Sequence, residues 1–552
     1  MNSLRVTPLD LAIVAGYFLV TLGLGVWFGR RKVANAESLF LADREATWPL
    51  VGASMFSANI SSQQFVGQAG LAYTIGLAAG AFQLVGALCF ALLAMFFVDV
   101  YLALRLRTAP EFFEHRYSSG VRMFVAAINI VMILAANIAT ALYAGATVVT
   151  DLLGWATTAQ FHLGIAVIAL AAGAYTIFGG LRSVLWTDLL QSSLLILGGA
   201  ITVVLCWSAG GGWAAVQPTY DAAGNSLWSV VRPWNDAFGW LPFVTGAVIL
   251  GVHSHCTDHD YVQRALAARS VFHSKMGALF AAFLKVIGLF IIAAPGVLAA
   301  KLIPGLAHPD QAYARIVSTY VPPGLAGLVL AGLLAAILGT VAAGLSASSS
   351  MLSYDFILRA TPRMSDAARV RLGRILMAAI LVVCALAAPG IRQFKGLFAY
   401  LVQLWALLAP PVFVCVVAGV FTRGASARGA VAVLATGSTL GAVAFWALAN
   451  PAAKAVLPVY LQSPLNCGFV ISVVCAVVMG SLRERDPARR GAAGAVARVR
   501  ADGAASMTAR ERTIYRGTLG VLAAIWIAVV VTFSPWGIAG PRPRAAPANH
   551  VR

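Results

Sequence analysis

Residues 56–70 read FSANISSQQFVGQAG, with Ser57, Asn59, Ser61, Ser62, Gln63 and Gln64 set inside an otherwise hydrophobic segment. Hydrocarbon offers no partners to polar groups, so such a run persists at membrane depth only where it lines a cavity or a site. A second interruption follows at residues 251–260, GVHSHCTDHD. Two interrupted hydrophobic segments in corresponding positions point to the midplane binding site of a secondary transporter.

Outward from that stretch, the composition fixes the class. The chain has 552 residues, of which 60% are hydrophobic and only 11% charged. A soluble domain carries about 25% charged residues. Windows of about 18 or more nearly uncharged residues recur along the whole length, and each is long enough to cross a bilayer. Fourteen are expected, near 9–28, 46–70, 77–104, 121–152, 161–178, 185–207, 239–263, 273–301, 323–355, 370–389, 394–421, 427–449, 464–482 and 515–535. The expected fold class is therefore an all-α polytopic membrane protein.

The net charge of +19 does not indicate nucleic acid. With the N-terminus outside, most basic residues fall in inward loops, among them Arg30, Arg31, Lys32, Arg122, Arg264, Arg371 and the arginines between Arg483 and Arg516. That is the positive-inside pattern, and the excess charge reads as orientation signal and contact with anionic membrane lipids. The seven cysteines show no CxxC spacing and read as small buried hydrophobes. The first span lacks a small-residue cleavage site and is followed by Arg30-Arg31-Lys32, so a retained helix is expected. No G-x-x-x-x-G-K-[ST] motif is present, which leaves ion-coupled symport, exchange or a channel.

Four elements carry the chemistry. Residues 324–359 are dense in Gly, Ala, Ser and Thr, which favours close helix packing. Within them Thr340 either back-bonds to its own helix or offers its hydroxyl to a hard cation. Asp188 follows a glycine turn at Gly179-Gly180 and is either an anion at a helix start or part of an ion path. Asp258 and Arg264 read as an inward gate or a structural ion pair. Lys285 lies deep in a hydrophobic span, too far from either end for easy snorkelling, and reads as a solute donor or an internal counter-charge.

At these residues the chain resembles the sodium/solute symporter family, nearest to its sodium/glucose and sodium/galactose cotransporter branch. The resemblance covers about residues 30–535. It rests on FSANISSQQFVG, RTAPEFFEHRY (107–117), YTIFGGLRSVLWTDLLQ (175–191), CTDHDYVQRALAARS (256–270), SYDFILR (353–359) and LLAPPVF (407–413), in the family's order. It implies a five-plus-five inverted repeat of the leucine-transporter type, with helices 2 and 7 discontinuous. The implied organisation is a first helix and basic loop (1–45), a ten-helix transport core (46–421), peripheral helices with the basic inward loop 483–516 (422–536), and a disordered tail (537–552). The outward loop 208–238 is expected to form a small cap.

The resemblance also implies sites. A sodium ion would be held by Ser57, Ile60, Ala336, Gly339 and Thr340, with Gly339 standing where the family usually has serine. A second sodium site would need that serine and two further hydroxyls, which are Ala342 and Ala343 here, beside Asp188. One sodium per substrate is therefore expected. The solute groups map onto Asn59, Gln64, Gln83 and Lys285, with Ser254 and His255 where sugar members carry an aromatic gate pair and Val402 where they carry glutamine. Asn and Gln supply neutral donors and acceptors, and Lys charged donors, as a hydroxylated solute requires.

The expected function is sodium-coupled symport of a sugar or polyol by alternating access in the inner or plasma membrane, without enzymatic chemistry and with one chain sufficient. Lithium or proton coupling is an alternative for the ion. An amino acid, sialic acid or other carboxylate is an alternative cargo, and a channel or transporter-derived sensor the remote one.

Overall fold

The computed structural model describes residues 7–540 apart from 30–32, 61–63, 154, 156, 218, 222, 235, 237, 307, 394–396 and 485–504. The expected loop 483–516 and tail 537–552 lie mostly outside the described residues, as do Ser61, Ser62, Gln63 and the first basic cluster. The described residues are helical throughout, with two isolated β-bridges and no strand. Among the described residues, ten helical stretches are long and apolar enough to cross a membrane. Each of the fourteen segments expected from hydropathy has a helical counterpart.

The principal elements are α1 (Pro8–Gly29), α2 (Trp48–Asn59), α3 (Ala69–Ile75), α4 (Ala81–Leu92), α5 (Ser119–Met132), α6 (Thr158–Ala209), α7 (Val248–Thr257) and α8 (His259–Leu266). They continue with α9 (Val271–Gly288), α10 (Leu325–Met351), α11 (Asp366–Ala387), α12 (Leu397–Phe421), α13 (Ala427–Ala449), α14 (Pro464–Ser481) and α15 (Ala509–Thr532).

The polar run does break its helix. α2 ends at Asn59, Ile60 is extended (φ −92°, ψ 111°), and the chain resumes as a π-helical turn at Gln64–Gln68 that leads into α3. The second interruption also breaks its helix: residues 251–257 stay helical, and the break falls within the expected 251–260, at Asp258 (φ −69°, ψ 130°). The reason is local: His255 Nδ1 bonds the Gly251 carbonyl (2.9 Å) and Thr257 Oγ1 the His253 carbonyl (2.6 Å), so these side chains are satisfied without opening the helix.

At 1.5 Å per residue the 52 residues of α6 would run roughly 78 Å, far beyond a hydrocarbon core of about 30 Å. Gly180 divides it, at φ 60°, where a Cβ would stand 2.7 Å from the Leu39 carbonyl. The two expected spans around the glycine turn are the two arms of this kinked helix.

α10 is the axle of the assembly. It packs along α6 and also meets α1, α2 and α8. Its most apolar window is 83% buried, against 11% for the peripheral α15. Lipid tails are as apolar as leucine, so helix association here depends on close packing rather than on the hydrophobic effect. α2 and α9 show it: a Cβ on Gly52 would lie 2.5 Å from the Gly277 carbonyl. The buried Asp10 of α1 fixes the start of α10, its Oδ1 accepting from the backbone N–H groups of Gly324 (2.8 Å) and Gly327 (2.6 Å). At the inward end, Arg122 of α5 binds Glu111, Glu114 and the fully buried Asp355.

The outward loop packs as a cap over a cluster of Trp207, Trp213 and Trp228. It is bonded at both ends of the chain's outward face. Leu77 N donates to the Leu227 carbonyl (2.6 Å), while Val230 N donates to Phe533 O (2.7 Å) and Gln217 Nε2 to Ile538 O (3.1 Å).

Candidate solute and sodium site

The break in α2 opens onto a cavity of about 90 Å³ between α2, α4, α7, α9, α10 and α12. All six residues expected to meet the solute line it: Asn59, Gln64, Gln83, Ser254, His255 and Lys285. Their polar groups are ordered into a directed chain. Lys285 Nζ donates to Gln83 Oε1 (2.6 Å), Gln83 Nε2 to Gln68 Oε1 (2.7 Å), and Gln68 Nε2 to the Ala79 carbonyl (2.6 Å). Lys285 is thus a donor to a neutral amide, and no carboxylate lines the cavity among the described residues.

Three buried polar atoms on this wall have no partner among the described residues: Asn59 Oδ1, Gln64 Oε1 and His255 Nε2. With Nδ1 turned to the Gly251 carbonyl, the second nitrogen of His255 is an acceptor in the neutral ring. Buried polar atoms are rarely left unpaired, so three acceptors converging on one cavity describe a place for a hydroxylated or amine-bearing solute. Phe82 and Phe243 meet edge to face (4.8 Å) on the outward side, and His255 stacks on Tyr261 (5.3 Å) on the inward side. The volume lies well below the roughly 300–1,000 Å³ of ligand pockets, so the cavity must widen to admit a solute.

The ion residues gather one layer away. A helix that stops at Asn59 leaves the carbonyls of its last turn without intrahelical donors beyond Ile60 N, which takes Phe56 O. Facing that turn, α10 brings Gly339, where a Cβ would lie 2.7 Å from both Ser57 Oγ and Gln191 Oε1 and 3.4 Å from Asp188 Oδ1. Thr340 also lines the solute cavity, and its hydroxyl donates to the Ala336 carbonyl (2.9 Å). The back-bonding alternative is the one seen, and it leaves the lone pairs of the Thr340 oxygen to a cation. Spans 2 and 9 therefore meet, which spacing alone left open. The donors are carbonyls, hydroxyls and a carboxylate, a set that fits a hard cation at a half-helix C-terminus.

The structure narrows two sequence readings. Of the two alternatives for Asp188, a helix-start anion at the interface does not fit a residue fully buried within the second arm of α6, which leaves the ion path. Arg264 does not pair with Asp258. It lies 3.7 Å from Asp188 and donates Nε to Ser54 Oγ (3.0 Å), and Ser54 in turn donates to Asp188. Asp258 instead caps α8, accepting from Asp260 N. The extended backbone at Asp258 turns its side chain away from the register that a continuous helix would give.

Gln68, Asn137, Tyr261 and Trp405 also line the cavity and were not singled out from sequence. Asn59 Nδ2 donates to Tyr261 OH (2.7 Å) and Asn137 Nδ2 to Asp260 (2.9 Å). Gln68 stood inside the polar run and Asn137 inside a hydrophobic span, so both carried a usable signal; Tyr261 and Trp405 carried none. Val402 lines the cavity, while Gln403 turns to the Phe445 carbonyl.

The sequence profile of the sodium:solute symporter family matches residues 39–437. The chain belongs to this family. Similar relatives include sodium/myo-inositol cotransporter 2 of Mus musculus, 30% identical over 79% of this chain and 70% of the relative. The sodium/glucose cotransporter of Vibrio parahaemolyticus is 29% identical over 77% of this chain and 82% of the relative. A sodium/mannose cotransporter of Bos taurus is 30% identical over 79% of each. Among solved structures, a substrate-bound, outward-open Na⁺-coupled sialic acid symporter superposes with a TM-score of 0.72 at 20% identity, covering 87% of this chain and all of the other. Mhp1, a nucleobase-cation-symport-1 family transporter, superposes at 0.52 and 15% identity, covering 84% of this chain and all of the other. The fold is that of the leucine-transporter type. The protein is a multi-pass transporter of the plasma membrane, coupled to sodium, and belongs with transporters rather than enzymes.

Proposed function

We propose that the symporter imports a sugar or polyol-like solute with one sodium ion, binding both around the break in α2. The observation that carries this reading is the convergence of Asn59, Gln64 and His255, with unpartnered acceptors, beside the Lys285–Gln83 donor chain. Thr340 belongs to both halves of the site, and gives the ion a direct way to set the solute cavity. Sugar and polyol relatives support the solute class. Carbonyls of Ser57, Ile60 and Ala336, the open face at Gly339, and the Thr340 hydroxyl would hold sodium. A single ion is supported by Ala342 and Ala343, which offer no hydroxyl, and by Gln191 and Ser57, which crowd the Gly339 position. The proposed transport unit is the single chain, whose own helices α2, α4, α7, α9 and α10 supply the groups assigned to the solute and the ion.

A second reading has its own support. Lys285 places one cationic side chain in a cavity without a carboxylate, which suits a sugar acid or another carboxylate solute. Thermal unfolding of purified protein separates the two. Neutral sugars and polyols are compared with their carboxylate counterparts, with and without sodium, in the wild type and in Lys285→Met. A ligand at 100 times its Kd stabilises by about 2.7 kcal/mol. The proposal expects sodium-dependent stabilisation by neutral solutes. Stabilisation by carboxylates only, lost in Lys285→Met, selects the second reading, and solute shifts indifferent to sodium overturn the shared site.

A further inference from the structure

On the face of α7 away from the solute cavity, a groove of about 560 Å³ runs between α7, α12 and α14. Val244, Val248, Phe413, Val417, Phe469 and Met479 give it apolar walls. The hydroxyls among its lining residues are already used within their own helices: Thr245 bonds Leu241 O, Ser472 bonds Gly468 O and Thr422 bonds Ala418 O. The groove is therefore hydrocarbon-like over its length and asks nothing polar of an occupant. From Phe469 to Gly480 it follows roughly 16 Å of helix, about one leaflet of a hydrocarbon core. Its inward end is marked by Arg483, with the exposed Arg423 on the adjoining loop and the exposed Arg428 in the first turn of α13.

We infer that the groove seats one acyl chain of an inward-leaflet phospholipid, with its anionic headgroup on Arg483. The groove offers about 560 Å³ along roughly 16 Å of helix, room for an extended acyl chain laid along it. The basic end matches an anionic headgroup in charge and lies at the depth where that headgroup sits. Arg116, which also points to this end, is tied to the carbonyls of Gly419 and Thr422, and Glu484 N bonds Gly424 O, so the loop that carries the site is fixed. α7 presents Val248 and Ile249 to the groove and Ser254 and His255 to the solute cavity, so a bound lipid would brace the helix that walls the site.

The test uses the purified full chain with added dioleoyl-phosphatidylglycerol or dioleoyl-phosphatidylcholine, counting retained lipids by native mass spectrometry. The wild type is expected to hold phosphatidylglycerol roughly fivefold more tightly, the equivalent of one arginine at the surface. Arg483→Gln should abolish that preference and Arg483→Lys restore it. Gly480→Leu, whose Cβ enters open space, should weaken both lipids by filling the groove. Equal retention of the two lipids, unchanged in Arg483→Gln, overturns the inference. So does Gly480→Cys cross-linking in native membranes to a second polypeptide, which would place a protein helix there instead.

Discussion

Replacing Asp188 by asparagine removes one charge from a fully buried pair and little else. Asparagine keeps the shape and still accepts from Ser54. Arg264 and Asp188 stand 3.7 Å apart, beyond hydrogen-bond reach, with both side chains at 0% exposure. At an effective dielectric of 20 that separation corresponds to roughly 4 kcal/mol of attraction. Removing one partner of a buried pair costs about 3–5 kcal/mol, because the other charge stays behind without compensation. Asp188→Asn and Arg264→Gln are each expected to lose that much, and the double variant less than the sum by about 4 kcal/mol. A double-mutant cycle on reversible unfolding in mixed micelles measures it. Additive single losses would show that the two charges are not coupled, either directly or through the Ser54 hydroxyl that bridges them.

Three further outcomes are expected. Gly339→Ser, which reinstates the family's usual residue, should destabilise by about 1–3 kcal/mol, because its Cβ would stand 2.7 Å from Ser57 Oγ and Gln191 Oε1; a sodium Hill coefficient rising to two with no loss of stability would contradict the steric argument. Asp10→Ala should cost about 1–2 kcal/mol by uncapping α10, with Asp10→Asn recovering most of it in the same unfolding measurement. Glu114 lies in a short helix (Glu111–Arg116) outside the spans, where hydrogen bonds from Arg359 (2.6 and 2.8 Å), opposed by burial and aided by Arg122, hold its carboxyl down to about 2. A carboxylate held below its unfolded value of about 4.3 contributes stability that is complete above that pH and is lost as pH falls through 2. Unfolding midpoints recorded from pH 6 to 2 should therefore fall less steeply in Glu114→Gln than in the wild type.

The solute side of the site was largely legible because lipid makes polar residues conspicuous. Asn59, Gln64, Gln83 and Lys285 each stood out against apolar neighbours, and the structure brings them to one cavity. Aromatic residues are ordinary in membrane helices, so Tyr261 and Trp405 gave no such contrast. Helical register was the second blind spot. Asp258 and Arg264 sit six residues apart, a spacing that puts them on different helix faces, and the guanidinium turns to Asp188 instead. The break in the first interrupted helix was readable from its density of polar groups. The second break was readable too, and within its run the i to i−4 bonds from His255 and Thr257 keep residues 251–257 helical, so that the break falls at Asp258.

The outward cap bears on how the molecule could be handled. Leu227 is bonded just beyond the broken α2–α3 segment, and Val230 and Gln217 are bonded to the end of α15, so one loop joins the first moving part of the core to the last helix. Traction applied at the outward end of α15 would be passed through three backbone hydrogen-bond acceptors to Leu77. An antibody fragment gripping residues 217–230 together with 533–538 would act as a clamp on that linkage, arresting the transporter by holding its rim and leaving the cavity untouched.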